Sequence, residues 1–320
     1  MTAPSRLGAA EIAAAIRAGR LTAETATRAC LERIDDREPA IGAWEWLDPE
    51  AALAEARARD AQPPLGALHG VPVGVKDLID TADMPTAYGS EIWAGHRPAR
   101  DAACVAALRA AGAVVLGKTV TTEFAAFAPA RTRNPRGAAH TPGGSSSGSA
   151  AAVAAGMVPL ALGTQTVGSI IRPAAFCGVV GFKASRGRLP LDGVKPLAAA
   201  FDSLGCFARS MADCALWFAA VSGEAPAPPP DRPPRIGLVR TPWWDAAAPE
   251  TRETVEAAAG RRADAGAEAT EPAPPAGFDR LAAAQGVLVR AGAAEALATE
   301  HRAHRARLSP GLRALLDEGA

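Results

Sequence analysis

The sequence predicts an α/β fold, a mixed central β-sheet with helices on both faces, and three observations carry that expectation. Short β-branched runs bounded by glycine alternate with alanine-rich stretches along most of the chain. The hydrophobic fraction is 48% and the charged fraction 21%, values ordinary for a chain that buries a core. A length of 320 residues suffices for one large or two medium domains.

The elements follow in order. Residues 11–18, 23–37 and 50–61 are rich in Ala, Leu, Arg and Glu, which favour helix, and Pro63-Pro64 ends the third run. The texture then changes. Val71-Pro72-Val73-Gly74-Val75-Lys76 is short and β-branched, and it reads as a strand. Residues 101–111 read as a helix capped by Asp101 and ended by Gly112, and 113–116 as a buried strand. A loop dense in Gly, Pro, Asn and Ser covers 134–148, ahead of a small-residue helix at 150–155 and a strand at 158–162. Ser210 opens a Ser-x-x-Asp capping box on a helix over 210–221. The Pro-rich stretch 225–234 reads as a linker, and a strand restarts at 235–240. Residues 277–320 read as helix, with Leu281, Leu288, Val289, Leu297, Leu308, Leu312, Leu315 and Leu316 in apolar stripes that require a surface to cover. One domain is expected, with a helical segment over 1–65, a core over 66–222, a linker over 223–234 and a second helical segment over 235–320.

Charge and cysteine usage exclude several classes. Lys+Arg and Asp+Glu both number 34, so the basic excess typical of a nucleic-acid partner is missing. The five cysteines are odd in number and none has C-x-x-C spacing, so neither a disulfide framework nor a zinc site is expected. No apolar run approaches the roughly 20 residues of a membrane span, and the N-terminus lacks an apolar signal region. A soluble, cytoplasmic protein without membrane contact is the expectation. His301 and His304 stand at i, i+3 in an Arg-rich stretch and read as a solvated face rather than a metal pair.

Two serine-bearing segments carry chemistry. The first is Gly143-Gly144-Ser145-Ser146-Ser147-Gly148-Ser149, and the second is Gly163-Thr164-Gln165-Thr166-Val167-Gly168-Ser169-Ile170-Ile171-Arg172-Pro173-Ala174. Upstream lies Gly70-Val71-Pro72-Val73-Gly74-Val75-Lys76-Asp77. Two formal matches are set aside. Gly112 to Thr119 fits the phosphate-loop pattern G-x-x-x-x-G-K-[ST], but its middle residues read as strand where a phosphate cradle needs a loop. Gly144-Ser145-Ser146-Ser147-Gly148 fits G-x-S-x-G, but Thr141-Pro142 supplies no preceding strand.

In this order the three segments resemble the amidase-signature family, and within it bacterial malonamidase-like enzymes. The stretches that carry the resemblance are Lys76-Asp77-Leu78-Ile79-Asp80-Thr81-Ala82-Asp83-Met84-Pro85-Thr86, residues 143–153 and residues 162–178. Matched by motif position, the family's catalytic residues fall on Lys76, Ser145 and Ser169. The resemblance implies a triad of a lysine, a serine preceded by a cis peptide bond, and a nucleophilic serine. It implies hydrolysis of a small carboxamide through an acyl-Ser169 intermediate, with no metal or organic cofactor and a small-molecule amide as partner; a homodimer is compatible with it.

The residue types suit these roles. A serine hydroxyl is a poor nucleophile until a base takes its proton. Lysine can be that base only when neutral, and burial among Val71, Val73 and Val75 would depress its pKa. Thr166, Val167, Gly168 and Ser169 would offer backbone N–H groups to an oxyanion, worth about 2.7–4 kcal/mol per donor. A buried Arg172 would suit bidentate capture of a substrate carboxylate, the role of the matching arginine in malonamidase-like enzymes.

Three departures bear on the reading. Gln165 stands where the family commonly has Asp, and it favours the small-amidase branch over the A subunit of the glutamine-dependent tRNA amidotransferase. Val167 stands where Gly or Ala is usual, and a β-branched residue stiffens and narrows that place. Family members also run beyond Ala320, so a C-terminally incomplete and inactive remnant is a further alternative, as is the amidotransferase subunit.

Overall fold

The computed structural model describes residues 3–224 and 231–320. In chain order the elements are α1 (Ala9–Arg17), α2 (Ala23–Ile41), β1 (Trp44–Leu47), α3 (Pro49–Asp60), β2 (Pro72–Lys76), α4 (Ala103–Ala110), β3 (Val114–Thr119), α5 (Ser147–Ala154), β4 (Leu160–Gln165), α6 (Ile171–Cys177), β5 (Val180–Lys183), β6 (Ser203–Ala208) and α7 (Met211–Ser222). Then come β7 (Arg235–Gly237), α8 (Pro249–Asp264), β8 (Glu268–Thr270), α9 (Leu281–Ala296), α10 (Ala298–His304) and α11 (Pro310–Gly319). They form two compact units, Met1–Pro226 with Val289–Ala320, and Ala227–Leu288.

The first unit is built on a six-stranded sheet of order β1-β3-β2-β4-β6-β5. Strands β3, β2 and β4 run parallel, while β1, β5 and β6 pair antiparallel with their neighbours. Side chains alternate across a strand, and here the alternation feeds two cores. Val73, Val75, Leu160, Leu162, Leu204 and Cys206 pack with residues of α1, α4 and α7 on one face. Ala161, Phe207, Val114 and Leu116 pack with α2, α3, α5 and α6 on the other. The mixed sheet with helices on both faces is therefore the fold that the sequence predicts.

Helix α5 is the innermost helix. Every residue from Ser147 to Val153 is buried, which only small side chains permit this close to a sheet. A methyl group at Gly148 would overlap the Ala43 carbonyl oxygen and the Val120 amide nitrogen. Because both neighbours are backbone, Gly148→Ala is expected to cost more than about 3 kcal/mol, and a denaturant melt of the variant measures it.

A third cluster covers the end of the sheet that carries Lys76. Leu78, Tyr88 and Phe124 pack with Leu297, Leu308, Leu312 and Leu316, so these four leucines find the surface that their stripes require, while Leu281 and Leu288 stay exposed. The expected single helix over 277–320 is broken instead, into α9, α10 and α11 separated by short turns. Pro310 stands in the first turn of α11, where a missing N–H costs nothing. The second unit pairs β7 with β8 in parallel beside α8, and Arg240 bridges Glu256 and Glu271 there.

Several boundaries differ from expectation. Asp101 does not cap α4, whose N-cap is Ala102. Its carboxylate instead accepts from Ala82 N at 2.8 Å and pairs with Arg109 at 3.0 Å. The strand expected over 235–240 stops at Gly237. Of the Pro-rich linker, residues 225–230 lie outside the described residues. No single helix among the described residues is long and apolar enough to cross a membrane. All five cysteines are buried and unpaired, as their number and spacing predict.

Candidate active site

Lys76 ends β2 and is fully buried. Its ammonium nitrogen donates to Ser145 Oγ at 2.7 Å and to Thr164 Oγ1 at 2.8 Å. Burial pulls its pKa down from 10.5 to about 7, against the opposing charge of Asp202. A fully buried lysine whose hydrogen-bond partners are two neutral hydroxyls, with no carboxylate bonded to it, gains little from staying charged. Thr164 has no place among the residues singled out from sequence. It lies inside the second serine segment, at the end of β4 beside β2, so only the strand pairing reveals it.

Ser145 follows a cis Gly144–Ser145 peptide bond and opens the turn into α5. Its carbonyl accepts from Thr122 N at 3.1 Å and from Ser147 Oγ at 3.3 Å, which ties the turn to the β3 side of the sheet. Gly143 precedes it at φ +75°, backbone that only glycine adopts freely.

Ser169 is buried and its hydroxyl makes no hydrogen bond among the described residues. The two serine segments meet instead through Ser146 N, which donates to Ser169 O at 3.4 Å. Lys76 and Ser145 are thus joined directly, while no hydrogen bond joins the Ser169 hydroxyl to Ser145 among the described residues. Serine–base contacts that are long without substrate commonly tighten when it binds.

Residues 166–169 link β4 to α6, and Gln165 holds the far end of this link. Its Oε1 accepts from Ile170 N at 2.8 Å and Ile171 N at 3.0 Å, and its Nε2 donates to Val167 O at 3.3 Å. An amide side chain can do both at once, which gives Gln165 a structural reason at this position. The N–H groups of Thr166, Val167, Gly168 and Ser169 have no backbone or side-chain acceptor among the described residues. Val167 is 48% exposed, so its side chain is not packed into the interior.

Arg172 is a correction: it is exposed, not buried. Its Nε and Nη2 both donate to Gly144 O, at 3.1 and 2.7 Å, so the fork expected to grip a carboxylate holds the backbone before Ser145. Nη1 has no partner among the described residues. A cavity of about 260 Å³ opens here, with Thr122, Phe127, Gly144, Ser147, Arg172 and Phe176 in its wall. A larger one, about 580 Å³, is lined by Glu45, Asp77, Glu91 and Glu123 among others, and neither serine segment contributes to its wall. The smaller cavity includes Gly144 and Ser147, which flank Ser145 and Ser146 in the chain, in its wall.

Lys118, the lysine of the phosphate-loop match, sits within β3. A register break opposite Val73/Gly74 aligns it with Val75 rather than with Lys76, as bulges do when they re-aim a side chain. Its nitrogen donates to Ile79 O at 2.6 Å and Thr86 Oγ1 at 2.5 Å and pairs with Asp77 at 3.6 Å. It is enclosed by protein groups, which leaves it no phosphate to bind. His301, on α10, pairs with Asp317 at 2.8 Å, the surface role its spacing suggests.

A buried lysine joined to a serine, a second buried serine, and a strand-to-helix link whose N–H groups have no acceptor among the described residues thus belong to one mixed α/β unit. The chain belongs to the amidase family, whose model, described as Amidase, matches residues 25–309. It is 42% identical to the A subunit of the glutamyl-tRNA(Gln) amidotransferase of Acidothermus cellulolyticus over 295 residues, covering 83% of this chain and 58% of that protein. With the protein of the same name from Chloroflexus aggregans it shares 45% identity over 234 residues, covering 68% of this chain and 48% of that one. The native peptide amidase of Stenotrophomonas maltophilia superposes with a TM-score of 0.83 at 34% identity, over 98% of this chain and 75% of that one. The chain therefore spans about half the length of the curated relatives it matches.

Proposed function

We propose that this chain carries the catalytic centre of an amidohydrolase that cleaves a small carboxamide through an acyl-Ser169 intermediate. The observation that carries the reading is the 2.7 Å bond between a fully buried Lys76 and Ser145 Oγ. The neutral amine takes the Ser145 proton while Ser145 takes that of Ser169, whose oxygen attacks the carbonyl carbon. The N–H groups at 166–169 stabilise the resulting oxyanion. The C–N bond then breaks, the leaving nitrogen takes the proton back through Ser145, and water attacks the Ser169 ester to regenerate the enzyme. No metal or organic cofactor enters any of these steps. Ammonia release from a panel of small amides tests the proposal: Ser169-dependent release from any of them supports it, and no release from all of them contradicts it.

Malonamate-like amides remain the preferred substrate class. The Nη1 edge of Arg172 lines the same cavity as Gly144 and can meet a carboxylate there. Arg172→Ala is expected to lower kcat/KM for carboxylate-bearing amides about tenfold more than for neutral ones, the size of a lost charged hydrogen bond. Equal losses on both would assign Arg172 wholly to holding Gly144.

A second reading is favoured by the relatives' names: the chain would belong to the A subunit of an amidotransferase, passing the ammonia on rather than releasing it. Gln165 argues for the small-amidase branch. Co-purification with further subunits from the native host would support the amidotransferase reading instead.

A further inference from the structure

Asp202 is a carboxylate at the site that the proposed chemistry leaves unused. It immediately precedes β6 and is half-buried. Its Oδ2 accepts from Leu197 N at 2.9 Å and Ala198 N at 3.0 Å, which fixes the carboxylate on its own loop. Its Oδ1 accepts from Thr166 Oγ1 at 2.5 Å. Thr166 is the first residue of the 166–169 link. Gln165 pins that link at its far end through Ile170 and Ile171, and Asp202 pins it at the near end.

The Thr166 hydroxyl has one proton, and Asp202 takes it. Thr166 can therefore offer a forming oxyanion only its backbone N–H. Asp202 also adds a negative charge close to Lys76, and that charge opposes the effect of burial on the lysine. The groups facing Lys76 are Ser145 from the turn before α5, Thr164 from β4 and the Asp202 charge from the head of β6. Lys118 is aligned with Val75 and pairs with Asp77, and Arg172 is engaged on Gly144.

We propose that Asp202 is a positioning residue for the amide-cleaving reaction, setting the 166–169 link through the Thr166 hydroxyl. The proposal rests on Lys76 as base and Ser169 as nucleophile. Removing the carboxylate and removing the Thr166 hydroxyl should therefore both loosen the link, while only the first also changes the charge near Lys76.

The test follows acylation of Ser169 by a fluorophosphonate as a function of pH. Asp202→Asn removes the charge, so the acid limb should move to lower pH by roughly one unit. The plateau rate should fall about 10- to 100-fold. Thr166→Val removes the pin and keeps the charge, so the plateau should fall with the limb in place. Asp202→Glu, which keeps the charge on a longer arm, should behave like Thr166→Val and guards against a misfolded asparagine variant. Hydrogen exchange at the Ile170 and Ile171 amides, read without any substrate, should speed up in Asp202→Asn and Thr166→Val. An unchanged plateau, or exchange identical to the parent, in folded Asp202→Asn and Thr166→Val would overturn the proposal. If the parent itself is not labelled at Ser169, the amidase reading fails, and the exchange measurement still decides whether Asp202 pins the link.

Discussion

Lys76→Arg is expected to be as inactive as Lys76→Met, with amide hydrolysis down roughly 100- to 10,000-fold in both. The expectation follows from where the lysine is. It is fully buried, and burial brings its pKa to about 7. At that value an appreciable fraction is neutral near neutral pH and can accept a proton. Guanidinium stays protonated and cannot do this, however well it replaces the charge. The sign of the pH dependence follows as well. The active form is the neutral one, so the rate should rise as pH passes about 7 and flatten above it. Steady-state rates for the two variants and a pH–rate profile of the parent check both statements. An active Lys76→Arg enzyme would leave the lysine as a structural cation rather than a base.

Ser169→Ala is expected to bring hydrolysis to background, a loss on the order of a million-fold by comparison with serine hydrolases. No covalent acyl-enzyme can form without the hydroxyl. Ser146→Ala is the control. Ser146 is buried beside the site, and its hydroxyl donates to Thr164 O at 3.3 Å. Losing that bond should cost about 1 kcal/mol of stability while most of the rate is retained. Turnover and melting midpoint for both variants separate chemistry from packing. A dead Ser146→Ala beside an active Ser169→Ala would exchange the roles of the two segments.

Much of the architecture is legible in the sequence because its signals are local. The β-branched run ending at Lys76, the Ser210 cap and the small-residue helix, which starts at Ser147 rather than at residue 150, each declare themselves within a few residues. What escapes depends on partners distant in sequence. Trp44–Leu47 and Ser203–Ala208 carry no clear strand pattern of their own and are strands because β3 and β4 lie beside them. Thr164 and Asp202 become visible as site residues only once Lys76 and Thr166 are placed against them. Arg172 shows the converse. Its position three residues after Ser169 does put it near the site, but a sequence does not say which acceptor a guanidinium meets first, and here it is the Gly144 carbonyl.

The most direct test is to react the protein with a fluorophosphonate below and above pH 7 and map the adduct by tandem mass spectrometry. The account predicts a single adduct on Ser169, faster at the higher pH, absent in Ser169→Ala and strongly slowed in Lys76→Met. An adduct on another serine, or a rate at Ser169 indifferent to pH and to Lys76, would contradict it.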